Sequence, residues 1–325
     1  MGFPFVNKIF QNNANFEELA NELFLYQYRN NGTYKNWCDS FHIHPGNLTC
    51  AEQIPFLPIS FFKTHTIICE DENYELLFES SGTTQSNKSR HFIKDVELYI
   101  KSFSTCFNIF YGDAKDWCII GLLPSYLQQK NSSLVNMVDE LIKLSGHNES
   151  GFYLHEYEKL QNVLRKLEHR RQKTLLIGVT YALLDFAEQF PMPLSSTIIM
   201  ETGGMKGRRK EITRDEVHAV LKDKFQISKV HSEYGMSELL SQAYSKGGGR
   251  FYCPPWMKVF VRDEDDPLLV RSEGKGALNI IDLANANSCA FIAIDDVGEV
   301  FSDGSFAVHG RLDGSDIRGC SLMVV

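Results

Sequence analysis

Ser80-Ser81-Gly82-Thr83-Thr84-Gln85-Ser86-Asn87-Lys88-Ser89-Arg90 is small, hydroxyl-rich and ends in two cations. Such a segment suits a loop that closes over phosphate oxygens. Backbone N–H groups and hydroxyls donate, and Lys88 or Arg90 supplies charge. The G-x-x-x-x-G-K-[ST] spacing of the common P-loop is absent. The plainer alternative is a Ser/Thr/Asn linker without chemistry. Two later segments weigh against it.

On either side of this stretch, helical and extended patterns alternate. Asn15 followed by Glu18 marks a helix start, with Phe16, Leu19, Leu23 and Tyr26 on one face. Pro55 and Pro58 keep Ile54–Ile59 out of any helix interior. Val96, Ile100, Phe103, Phe107 and Phe110 repeat at helical period. Ser132 or Ser133 caps a helix bearing Leu134, Val138, Leu141 and Leu144, and Thr213 with Glu216 forms a capping box. His155 to Gln172 reads as a charged, exposed helix.

Short apolar runs at Trp117–Leu123, Leu175–Val179 and Thr197–Met200 read as strands between these helices. The expected fold class is therefore α/β, with a mainly parallel sheet covered by helices. Beyond Gly247-Gly248-Gly249 the texture becomes β-rich, with strands at Met257–Arg262, Leu278–Leu283, Ala290–Ile294 and Phe306–Val308. The expectation is a single domain over residues 1–325 with an internal seam near 246–250.

The 325 residues carry 33 basic and 41 acidic side chains, a net charge of −8. Nucleic-acid binding has little electrostatic support. No apolar run reaches the roughly 18 residues of a membrane span, and no secretory signal is recognisable at the N-terminus. The eight cysteines have no C-x-x-C pairing, so reduced thiols in a cytoplasmic protein are expected.

Two further segments carry chemistry. His231-Ser232-Glu233-Tyr234-Gly235-Met236-Ser237-Glu238 reads as a strand approach from Ile227–Val230, a Tyr-Gly turn and a helix start. Tyr234 offers a flat face for a purine, Ser237 a cap or a phosphate contact, and Glu238 an oxygen ligand for a hard cation. An ordinary strand-to-helix turn is the alternative. Asp295-Asp296-Val297-Gly298 and Gly310-Arg311-Leu312-Asp313 follow. Their carboxylates and arginine suit ribose hydroxyls or phosphate, and a pair of β-turns is the alternative.

Taken in order, these segments resemble the adenylate-forming superfamily of acyl-CoA synthetases, firefly luciferase and adenylation domains. The resemblance is closer to the LuxE-type acyl-protein synthetases. It is carried by Ile54-Pro55-Phe56-Leu57-Pro58-Ile59, the loop ending Lys88-Ser89-Arg90-His91, Leu123-Pro124-Ser125-Tyr126-Leu127 with Ser132-Ser133-Leu134, Thr202-Gly203-Gly204-Met205-Lys206, and Ile317-Arg318-Gly319-Cys320-Ser321-Leu322. It implies the large N-terminal domain of an adenylate-forming enzyme without the small C-terminal domain. The implied activity is ATP- and magnesium-dependent activation of a carboxylic acid, typically a fatty acid. The acyl group then moves to a cysteine and on to an acceptor protein such as a reductase or carrier. The resemblance assigns Ser80, Ser81, Gly82, Thr83, Thr84 and Lys88 to the ATP phosphates. Gly203 and Gly204 line the adenine pocket with Tyr234 stacking there, and Gly235 and Ser237 count among the nucleotide-binding residues. Glu238 takes magnesium, Asp296 the ribose with Arg311 beside it, and Cys320 the acyl group. Gln85, Ser89 and Ser237 depart from the superfamily pattern. With the C-terminal-domain lysine missing, Lys206 or Arg90 is left to steady the reacting carboxylate.

A thiolate attacks an acyl-adenylate readily because AMP leaves well. Arg318 and Gly319 suit Cys320 to that role, although packing of Cys320 with Leu322 and Val324 is the plainer alternative. Two other functions stay open: a ligase passing the acyl group to coenzyme A, a carrier or an amine, and a nucleotide-binding subunit without catalysis. His42 and His44 near Cys38 fit no zinc spacing. His155, His169 and His218 are expected to face solvent on their helices.

Overall fold

The computed structural model describes residues 4–11, 13–46, 48–71, 73–80, 88–124, 129–203, 212–263 and 265–312. In chain order the elements are α1 (Phe16–Asn30), α2 (Gly32–Ser40), β1 (Leu57–Pro58), α3 (Phe61–Thr64), β2 (Leu76–Glu79), β3 (Arg90–Ile93), α4 (Val96–Tyr111), β4 (Cys118–Leu122), α5 (Ser133–Ser145), β5 (Gly151–Phe152), α6 (Tyr157–His169), β6 (Thr174–Val179), α7 (Thr180–Gln189), β7 (Thr197–Thr202), α8 (Arg214–Phe225), β8 (His231–Tyr234), β9 (Ala243–Ser245), β10 (Arg250–Phe251), β11 (Met257–Arg262), β12 (Val270–Arg271), β13 (Gly274–Asp282), β14 (Phe291–Val300) and β15 (Phe306–Arg311). They fall into two compact units. Over the described residues, one comprises the chain up to Cys106, Gly235–Gln242 and the chain from Tyr252 on; the other comprises Phe107–Tyr234 and Ala243–Phe251. The triplet Gly247-Gly248-Gly249 lies within Ala243–Phe251 of the second unit.

The second unit is built on a sheet in the order β5-β4-β6-β7-β8-β9. The first five of these strands run parallel and β9 is antiparallel to β8. Strands β4 and β6 are buried along their whole length, as apolar runs without alternation require. Gly178 near the end of β6 has a steric reason. A Cβ there would meet Leu122 Cβ at 2.8 Å.

The helix starts are where local sequence places them. The Ser132 hydroxyl accepts from Val135 N–H, and Thr213 and Glu216 cap each other reciprocally. Each such cap contributes about 1 kcal/mol. Helix α6 differs from the expected exposed helix: Leu160, Val163, Leu164 and Leu167 form a buried stripe beneath its charged face. Strand β8 starts later than expected. Gln226 adopts a left-handed conformation and both it and Ile227 donate to Lys222 O, so these residues end α8 instead of starting a strand.

The first unit holds an antiparallel sheet in the order β15-β14-β13-β11-β12, with β1 parallel to β14 through Leu57↔Ile292 and Pro58↔Ala293. The register between β14 and β15 shifts between Val297 and Gly298. Only glycine fits at 298, because an added Cβ would lie 2.2 Å from Ala307 O. Strands β2 and β3 form a separate antiparallel hairpin, with Glu79↔Arg90 at its loop end and Leu76↔Ile93 at its open end. Asn15 caps α1 by accepting from Glu18 N–H, and Leu19, Leu23 and Phe24 of that helix are buried.

Candidate nucleotide-binding site

In the second unit, the carboxyl ends of β6, β7 and β8 bring Thr180, Gly203 and Tyr234 onto one edge of the parallel sheet. That edge is where open α/β sheets bind ligands. Gly203 has φ +69°, a left-handed conformation that suits glycine. The Thr180 hydroxyl donates to Gly203 O and lies 3.3 Å from Glu201 Oε2. Tyr234 is buried, its ring centroid 5.6 Å from that of Phe251.

Two carboxylates sit under this edge on adjacent strands. Glu201 accepts from Ser232 Oγ at 2.8 Å and faces Arg214 Nε at 3.4 Å and His218 Nε2 at 3.5 Å. Burial alone would raise its pKa. The nearby His218 imidazole and the Arg214 charge outweigh burial and hold it below the ordinary value. Glu233 accepts from Thr202 Oγ1, and burial pushes it up to about 7, with Glu201 adding to the shift. Both carboxylates escape a motif search. The signal was Glu201 closing the apolar run Ile198-Ile199-Met200, and Arg214 and His218 four apart on one helix face. His218 is therefore not solvent-facing as expected. It is 4% exposed, turned inward because Glu201 offers it a buried partner. His155 and His169 are exposed.

In the first unit, Ser80 and Lys88–Arg90, the described ends of the segment expected to bind phosphate, adjoin the β2–β3 hairpin. Its neck is closed by Ser80 N–H to Ser89 O (3.1 Å) and Ser89 N–H to Ser80 Oγ (3.0 Å). Lys88 lies 3.8 Å from Glu79, and Arg90 is exposed with its guanidinium over the Phe92 ring. Ser81, Gly82, Thr83, Thr84, Gly204, Lys206 and Cys320 lie outside the described residues.

Gly235, Ser237 and Glu238 follow β8 in sequence but begin no helix, contrary to the sequence expectation. Ser237 and Glu238 form a turn, closed by Leu239 N–H to Met236 O. The next amides, Leu240 and Ser241, donate to Asp282 Oδ2 at 2.9 Å each, which diverts the backbone from helical bonding. The turn is held from below. His91 Nδ1 lies 2.8 Å from Ser237 O, and His91 Nε2 lies 3.0 Å from Asn285 Oδ1. Asn285 Nδ2 in turn donates to Glu238 O at 2.8 Å. Both facing atoms are acceptors, so a neutral ring, with its one N–H, donates to only one of them at a time. Burial holds its pKa below the ordinary imidazole value.

Asp296 and Arg311 are not in turns. They face each other in register on β14 and β15, with Arg311 Nε 3.4 Å from Asp296 Oδ1 and Nη2 3.0 Å from Asp295 Oδ2.

Glu238 is 1% exposed, and no cluster of three or more metal-binding side chains occurs among the described residues. A donor set of one carboxylate fits magnesium, which is usually held by one or two carboxylates plus substrate phosphates. Among the described cysteines, Cys38, Cys69, Cys106, Cys118 and Cys289 are buried and unpaired in disulfides. Burial pushes the Cys118 thiol up to about 11 and Cys38 and Cys69 up to about 12, which disfavours their thiolates. No helix among the described residues is long and apolar enough to cross a membrane.

No family model matches the chain. A long-chain-fatty-acid–luciferin-component ligase of Vibrio harveyi is 21% identical over 335 residues, covering 94% of this chain and 85% of that protein. Among solved structures, ATP-bound MatB from Rhodopseudomonas palustris superposes with a TM-score of 0.55 at 13% identity, over 72% of this chain and 47% of that one. Its apo form gives 0.53 at 15% identity, over 74% and 48%. The chain spans about half the length of these solved structures. The fold is that of adenylate-forming enzymes, in agreement with the resemblance drawn from the ordered motifs.

Proposed function

We propose that this protein activates a carboxylic acid, of the fatty-acid class, with ATP and then carries the acyl group on Cys320. In the first step a carboxylate oxygen attacks the α-phosphorus. A phosphorus–oxygen bond forms, the α,β-anhydride bond breaks, and pyrophosphate leaves. In the second step the Cys320 thiolate attacks the acyl carbon, AMP leaves, and the thiol proton passes to solvent. An acyl-accepting protein, a reductase or a carrier, then takes the thioester.

The observation that supports this reading is where the ordered motifs fall on an adenylate-forming fold. Gly203 and Tyr234 lie at the ligand edge of the parallel sheet, and Asp296 is paired with Arg311. Gly203, Gly204 and Tyr234 would take the adenine, Asp296 the ribose, and Ser80–Thr84 with Lys88 the phosphates. Glu238 would hold magnesium, which neutralises phosphate charge when bound. The remaining work is positioning and charge neutralisation, with Lys206 or Arg90 beside the reacting carboxylate. Similarity to a fatty-acid ligase over 94% of the chain supports the acid class and the thioester step.

The test is intact-protein mass spectrometry after incubation with Mg-ATP and a panel of fatty and aromatic acids. A hydroxylamine-labile mass increase is expected, absent in Cys320→Ala while pyrophosphate release continues. Pyrophosphate release without any mass increase would move the acyl group to an external acceptor such as coenzyme A.

A further inference from the structure

We infer that His91 is a positioning residue for Glu238, tying the strand that leaves the phosphate-loop segment to the turn that carries the cation-facing carboxylate. This rests on the adenylation reading. Strand alternation sets the geometry. Arg90 is exposed, and His91, the next residue of β3, is 1% exposed with its ring edge-on to Phe62 at 5.6 Å.

The ring reaches two oxygen atoms. Nδ1 lies 2.8 Å from the Ser237 carbonyl oxygen and Nε2 3.0 Å from Asn285 Oδ1. Asn285 then donates to the Glu238 carbonyl at 2.8 Å, and its own carbonyl accepts from Gln27 Nε2 at 2.9 Å. Two successive carbonyls of the turn are thus held from one side by a frame that is itself anchored. Fixing those peptide planes fixes the direction in which the Glu238 side chain leaves the backbone. A residue that orients a metal-binding carboxylate typically accounts for about 10- to 100-fold in metal affinity.

The experiment measures Mn²⁺ binding in the presence of ATP by electron paramagnetic resonance, with thermal melts of the metal-free proteins alongside. His91→Leu is expected to raise the Mn²⁺ dissociation constant about 10-fold or more, and His91→Asn, which keeps a donor near Nδ1, to stay within about threefold. In a Glu238→Gln background, His91→Leu is expected to add nothing. If His91→Leu does not fold, His91→Gln replaces it. Gln reaches the Asn285 side and not Ser237, so it is expected to bind more weakly than His91→Asn. Equal binding by wild type and the Leu variant, equal binding by the Asn and Gln variants, or an additive loss with Glu238→Gln overturns the inference alone. Failure of the wild type to bind Mn²⁺ with ATP overturns the adenylation reading and this inference together.

Discussion

Arg311 stands directly opposite Asp296 across the antiparallel pair β14–β15, its guanidinium also bonded to Asp295. The arginine is 12% exposed, so solvent screens this arrangement little. The neighbouring register shift at Gly298 sets which carboxylate faces the guanidinium, because no other residue fits there. In the proposed function this Asp296 carboxylate is the acceptor for the ribose hydroxyls.

A nucleotide held by that acceptor should feel its loss selectively. Asp296→Asn is expected to weaken ATP binding by about 10- to 100-fold, the worth of hydrogen bonds to a charged acceptor. Asp295→Asn keeps the same fold and the Asp296 carboxylate, and should change ATP affinity by less than about threefold on the same scale. Titration calorimetry separates the two. Equal losses would mean that the pair acts only by steadying Arg311.

Glu201 draws Arg214 and His218 of α8 onto the end of β7. Glu201→Gln removes the charge and leaves the guanidinium without its buried partner, which should cost about 3 kcal/mol or more. Urea unfolding followed by far-UV circular dichroism measures this. A loss below about 1 kcal/mol would show that the contacts are no better than a surface pair.

The buried Glu233 makes stability depend on pH. Its pKa rises from 4.5 to about 7 on folding, chiefly through burial. A carboxyl group raised in this way binds its proton more tightly in the folded state. Its stabilising contribution is full below pH 4.5, declines as pH rises, and is lost above pH 7. The full effect corresponds to about 3 kcal/mol. Compared with wild type, Glu233→Gln should gain stability progressively between those two pH values. Parallel stability curves for the two proteins would contradict the assignment.

What could be read from sequence, and what could not, divides by the distance between partners. Asn15, Ser132 and Thr213 were legible because each bonds an amide three residues on. The uninterrupted apolar runs of β4 and β6 announced a covered parallel sheet. Asp295–Gly298 looked equally like a turn, because pairing with the neighbouring strands β13 and β15, through partners beyond the four-residue window of a turn, is what makes it strand. Asp282 diverts the Ser237–Glu238 turn from the helix its local sequence suggested, and it lies 42 residues beyond Leu240. His91 stood in the quoted motif with no role, since its partners Ser237 and Asn285 are 146 and 194 positions away. His218 was placed outward for the same reason, its partner Glu201 lying on another element. Ser81–Thr84, Gly204, Lys206 and Cys320, which carry much of the expected chemistry, fall outside the described residues.

Acid-dependent exchange of labelled pyrophosphate into ATP tests the central claim most directly, because it reports the reversible first step without any acyl acceptor. Wild type incubated with Mg-ATP, labelled pyrophosphate and a fatty acid is expected to form labelled ATP, and Glu238→Gln to form it far more slowly. Exchange that proceeds equally without acid, or no exchange with any acid while ATP is bound, would contradict acyl-adenylate formation and leave a nucleotide-binding protein that does not activate acids.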